Sequence, residues 1–301
     1  MPQNTRESST VEDGRLHWDV FVNPSISMVV TSLPPGQRQM VWQPIASTLI
    51  YAERDAVLVD PPLTIEQTNN LISWVAASGK NLTTIYSTHG HGDHWFGIGA
   101  VLDRFPGARA VATPDVAELM RQHVTPDATK WWRSSFPGQI PDRLVVAQEL
   151  GGDTFPLEGE RLVAVEVGHG DSDHSTCLSV PSIGLVVAGD VAYNDVHQYF
   201  VESDHQKRGE WISALDKIES LKPVAAIAGH KRPGALDTPS DLEATRKYIR
   251  DFDRIAYHTK TALALYNEML AIYPERVNPA VLWYSAQAVK PATESDDVRP
   301  L

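Results

Sequence analysis

The stretch Thr88-His89-Gly90-His91-Gly92-Asp93-His94-Trp95 decides how this chain is read. It sets three imidazoles and one carboxylate in the order H-x-H-x-D-H. Just before it, Thr83-Thr84-Ile85-Tyr86-Ser87 reads as a short β-branched and aromatic strand. Imidazole nitrogens beside carboxylate oxygens are the donor set of a divalent transition metal. The loop therefore predicts a metal site.

One such loop cannot fill two metal shells, and three further candidates lie downstream. Leu162 to Val167 runs into Gly168-His169-Gly170, Gly184 to Ala188 into Gly189-Asp190, and Val224 to Ala228 into Gly229-His230. Each is a buried-type strand that ends in glycine and then a metal-capable side chain. Strand ends along one sheet edge are where such folds collect functional groups.

With these residues in place, the chain resembles the metallo-β-lactamase-fold superfamily over roughly residues 25 to 235. The resemblance implies an α/β fold, a four-layer αβ/βα sandwich with a dinuclear site at one edge of its sheets. It matches His89, His91 and His169 to the first metal and Asp93, His94 and His230 to the second, with Asp190 as the bridge. His174, in Gly170-Asp171-Ser172-Asp173-His174, is a rival for the place of His169 or a hydrogen-bonding neighbour of the site. Asp60, after the strand Ala56–Val59, stands where the family keeps a residue that supports the metal loop. A plain turn carboxylate is its other reading.

Composition is consistent with one large core: 301 residues, 42% of them hydrophobic. The candidate ligands run from 89 to 230, so a domain boundary inside that range would split the site. We expect a catalytic domain over 1–238, with an insertion near 113–141, and a helical extension over 239–301. The single Cys177 has no partner for an intramolecular disulfide and reads as a small core residue. Met1 to Thr10 lacks the apolar core of a signal peptide, and no apolar run is long enough for a membrane span. The expectation is a cytoplasmic protein with a small-molecule substrate and no membrane partner. A net charge of −12 argues against nucleic acid, which Lys and Arg must neutralise.

Ser27–Leu33, Ala46–Tyr51 and Ala56–Val59 read as early strands, and Thr64–Ala77 as a helix capped by Thr64. His94–Phe105 reads as a helix, Ala108–Ala112 as a strand and Glu210–Leu221 as a helix. Trp131-Trp132, between Thr113 and Pro141, form either a lid over the metals or an anchor for the insertion. A helix from Asp241 to about Met269 follows. Its apolar stripe suits a core or a homodimer contact, and Pro291–Leu301 reads as a frayed tail.

The resemblance implies a metal-dependent hydrolase. A hydroxide bridging two zinc ions would open a small lactone or lactam, or cleave a small ester or amide, with Asp93 handling protons. Asp190 at the bridge resembles the lactonase, glyoxalase II and nuclease branches. Tyr193, three residues on, matches a lactonase tyrosine that reaches the substrate carbonyl, which makes it a candidate oxyanion donor; packing in the core is its other reading. Two alternatives stay open: a thioesterase of the glyoxalase II type, and a mononuclear-iron oxidoreductase like the persulfide dioxygenases. Near Tyr193 we find no basic motif for glutathione, and an intact His94 and His230 oppose the single iron.

Overall fold

The computed structural model describes residues 16–30 and 33–290. The expectations for Met1–Thr10, for part of Ser27–Leu33 and for Pro291–Leu301 fall outside those residues. Strands and helices are numbered in chain order. Six strands form the first sheet, in the order β1 (His17–Asn23), β4 (Ile45–Tyr51), β5 (Asp55–Val59), β6 (Asn81–Tyr86), β7 (Arg109–Ala112) and β8 (Gln148–Glu149). Five form the second, in the order β13 (Ala225–Lys231), β12 (Leu185–Asn194), β11 (Ser175–Val180), β10 (Glu160–Gly168) and β9 (Thr154–Leu157). A short hairpin pairs β2 (Ile26–Met28) with β3 (Met40–Trp42).

The period-two alternation of the central strands builds the layers. In β5, Val57 and Val59 face the core between the sheets, where Leu178 and Val187 lie. Leu58, between them, turns to the opposite side, with Leu71 and Val116. In β12, Leu185 and Val187 join the core between the sheets, whereas Val186 and Ala188 meet Trp211 and Phe252. Each inner strand is thus apolar on both faces, as a strand covered on both sides must be.

Helices α1 (Ile65–Ala77), α2 (Ile98–Arg104), α3 (Pro114–His123) and α4 (Pro126–Ser135) cover the first sheet. α5 (His205–Ser220), α6 (Ser240–His258) and α7 (Ala262–Ile272) cover the second, while α8 (Pro279–Val289) adds residues to both outer cores. The result is the expected αβ/βα sandwich. Thr64 caps α1 in a reciprocal capping box with Gln67, as the sequence suggests.

The single helix expected over Asp241–Met269 is instead two. Thr259 is extended, and the Thr261 side chain accepts the Ala264 amide to start α7 afresh. A competing cap thus ends a helix whose apolar pattern continues across the break. Likewise, the helix expected over His94–Phe105 begins only at Ile98, after a single 3-10 turn over Gly92–His94. Among the described residues, no helix is long and apolar enough to cross a membrane.

Candidate metal centre

The H-x-H-x-D-H loop leaves β6 and is fastened from both sheets. Thr176, on β11, donates its backbone amide and its hydroxyl to the Thr88 carbonyl at 2.9 and 2.7 Å. From the first sheet, the buried Asp60 carboxylate accepts the Thr88 amide and hydroxyl, each at 2.8 Å. Because that hydroxyl proton goes to Asp60, Thr88 Oγ1 is left to accept the His89 Nδ1–H at 3.0 Å. The tautomer of His89 is thereby set, and its bare Nε2 lies 3.8 Å from Asp190 and 3.9 Å from Asp171. His230 is fixed in the same manner. Its Nδ1–H donates to the Pro44 carbonyl at 2.8 Å, so a bare Nε2 stands 2.9 Å from Asp190 Oδ2.

Two groups of donors result. His89, His91, Asp171 and Asp190 offer ligand atoms within 4.8 Å of one another, and Asp93, His94 and His230 do the same. Asp190 lies between them, with Oδ1 3.2 Å from His94 and Oδ2 2.9 Å from His230. Asp93 Oδ2 faces the same two rings and is steadied by the Trp42 indole N–H at 2.9 Å. His91 sits between two carboxylates, Asp171 and Glu202, at 3.1 Å from each.

His89 Nε2, Asp171 Oδ1 and Asp190 Oδ1 are all buried with no hydrogen-bond partner. Buried acceptors turned toward one another are costly unless a positive charge joins them. Burial pushes the Asp171 carboxyl up to about 7, with His91 opposing the rise and Asp190 adding to it. Burial acts on Asp190 in the same direction, but His230, His94 and His89 outweigh it and hold that carboxyl well below its usual range. For His89, burial and then His94 keep the ring neutral, as a ligand must be. The nitrogen and oxygen donors, their orphaned atoms and their spacing fit divalent metal ions.

Comparison with known proteins agrees with this geometry. The family model described as the metallo-beta-lactamase superfamily matches residues 40–230. This chain belongs to that superfamily. Its fold is shared with a metallo-beta-lactamase family protein of Thermus thermophilus, at a TM-score of 0.60 and 19% identity over 90% of this chain and 91% of that one. A metallo-beta-lactamase from Pontibacter korlensis gives 0.54 and 18%, over 74% and 99%. Among curated proteins, an atrochrysone carboxyl ACP thioesterase of Aspergillus fumigatus is 27% identical over 222 residues, 72% of this chain and 44% of that protein. A hydroxyacylglutathione hydrolase of Actinobacillus pleuropneumoniae serotype 5b is 26% identical over 98 residues, 33% of this chain and 37% of that protein. The chain thus spans less than half the length of the curated relatives it matches.

Of the superfamily residues expected at the centre, the structure brings together His89, His91, Asp93, His94, Asp190 and His230. It places the His169 ring outside both donor groups. The His169 ring is held between Asp173 Oδ1 at 2.7 Å and Ser203 Oγ at 2.8 Å, with Trp211 edge-on to it. Asp171, two residues on, stands in the cluster instead. Just before them, the β10–β11 register slips between Glu166 and Gly168, and Gly168 has a left-handed φ of 101°. His174 is not near the site either, since it pairs with Asp115 at the surface.

Tyr193 is at the centre but behind the carboxylates. It is fully buried and does not line the cavity, and it donates its hydroxyl toward Asp171 Oδ2 at 3.3 Å and Asp190 Oδ2 at 3.4 Å. Its hydroxyl thus faces the two carboxylates, whereas the expected oxyanion donor would face the cavity. Sequence reading also missed Trp42 and Glu202, which carry no spacing signal. For Asp171 there was one, an acidic residue in the polar loop directly after a candidate strand end.

Proposed function

We propose that this superfamily member is a hydrolase of carboxylic acyl bonds that acts on a small lactone, ester or amide, with two divalent ions held by His89, His91, Asp171 and Asp190 and by Asp93, His94 and His230. The observation that carries this reading is that His91, Asp93, Asp171, Asp190 and His230 all line one cavity. The donors of both groups are therefore open to the same bound molecule. Zinc is the metal pair proposed for this mixed nitrogen and oxygen donor set. When bound, such ions supply Lewis acidity, which polarises an acyl carbonyl and makes a water a strong nucleophile near neutral pH.

The protein groups do the rest. Asp93, fixed by Trp42, takes the proton of the attacking water at its carboxylate and returns it to the leaving oxygen or nitrogen. Thr88 and Pro44 hold His89 and His230 in the tautomers that present Nε2 inward. Tyr193 keeps the facing carboxylates of Asp171 and Asp190 in register.

A second reading, thioester hydrolysis, is favoured by the relative named a thioesterase, whose match covers 72% of this chain. Both readings are tested by offering the zinc-loaded enzyme matched lactones, lactams, thioesters and aryl esters. Lactone or ester turnover above the thioester supports the first reading, and the reverse order supports the second. If none of the four is hydrolysed, the proposal fails.

A further inference from the structure

The donor groups lie against a cavity of about 560 Å3, a size suited to a small-molecule ligand. Trp42, Trp131 and Trp132 line it beside the carboxylates. Their rings meet edge to face: Trp42–Trp131 centroids are 5.6 Å apart, Trp42–Trp132 5.3 Å and Trp131–Trp132 4.7 Å. Trp132 is half-buried and is backed by Phe96 and Phe136, which hold it in place. Trp131, one residue earlier on α4, keeps 43% of its surface exposed and still borders the cavity. A large apolar ring left open beside a cavity, on a wall made rigid by its neighbours, is a ready face for another ring.

Charge narrows the ligand further. Among the described residues, no Lys or Arg lines the cavity, and Glu202 is the acidic group outside the donor clusters. An anionic tail would find His123 but neither Lys nor Arg away from the metals, whereas a neutral ring would find aromatic edges and faces.

We propose that the acyl part of the substrate is a neutral aromatic ring system packed on Trp131 and Trp132, with its carbonyl directed to the donors beside Trp42. The inference rests on the hydrolase reading for the reaction, but its binding step is tested separately. Isothermal titration calorimetry would compare three ketones with no hydrolysable bond on the zinc-loaded enzyme: 2-acetylnaphthalene, cyclohexyl methyl ketone and 6-acetylnaphthalene-2-sulfonate.

The naphthyl ketone is expected to bind about tenfold more tightly than either of the others, the scale of one or two good ring contacts. Trp131→Ala should reduce its preference over the cyclohexyl ketone to about threefold or less, and Trp131→Phe, which keeps a ring, should preserve it. Equal affinity of the naphthyl and cyclohexyl ketones for the unsubstituted enzyme would overturn the inference. So would tight binding of the sulfonate, or a naphthyl preference that survives Trp131→Ala. If the ketones bind as expected but no acyl bond is cleaved, the hydrolase reading fails and the aromatic site stands.

Discussion

Gly229 and Asp190 lie against each other across neighbouring parallel strands, so closely that a β-carbon on Gly229 would sit 1.9 Å from Asp190 Oδ1. The same carbon would lie 2.8 Å from the Gly189 carbonyl carbon, so an alanine there must displace the Asp190 carboxylate or the strand that carries it. Gly229 is therefore what allows the shared carboxylate to stand between the two donor groups. Gly229→Ala should fold, but with metal content below two ions per chain and activity lower by up to about a hundredfold, as when a ligand's support is removed. Elemental analysis beside steady-state kinetics reads both. Full metal content with unchanged turnover would remove Asp190 from its assigned place.

Tyr193 offers a separation of roles. As a positioner of Asp171 and Asp190, its loss in Tyr193→Phe should weaken metal affinity by roughly tenfold. The resulting loss of activity should shrink as metal is added. An oxyanion donor would behave differently, with kcat down by about a hundredfold or more at saturating metal. Metal titrations of activity distinguish the two, and a deficit that metal cannot relieve would restore the role expected from sequence.

What was legible in the sequence was whatever depends on local order. The metal loop, Asp190 and His230 could be read because a glycine and a donor follow an apolar run, although β12 continues past Asp190 to Asn194 and β13 past His230 to Lys231. The capping box at Thr64 and Gln67 is equally local. Which side chain of the loop after β10 turns toward the first group was not legible, because it depends on how β10 leaves its sheet. After the register slip between Glu166 and Gly168, His169 lies against Ser203 and Asp171 stands among the first group of donors. Trp42 could not be found either, for it reaches Asp93 from a hairpin 51 residues away in the chain.

His197 carries a pH dependence of stability that is independent of the metal centre. It is fully buried against Tyr248, and burial, then Arg276, hold its pKa down at about 3. An unfolded histidine titrates near 6.5. As pH falls through 6.5, the unfolded chain gains a proton that the folded chain refuses until about pH 3. The contribution is thus fully present above 6.5 and is lost progressively down to about 3. Between pH 6.5 and 4.5, the unsubstituted metal-free protein should lose about 2 kcal/mol more than His197→Gln in denaturant unfolding. Parallel curves for the two proteins would contradict this.

Metal stoichiometry in two substituted proteins tests the centre most directly. Asp171→Asn and His169→Gln would each be purified, saturated with zinc, desalted and measured by elemental analysis beside the unsubstituted chain. Asp171 stands among the first group of donors, and His169 is bound to Asp173 and Ser203 outside it. The result expected is two ions per chain for the unsubstituted protein and for His169→Gln, and one for Asp171→Asn. Two ions in Asp171→Asn with one in His169→Gln would return the histidine to the centre and contradict the assignment made from the structure.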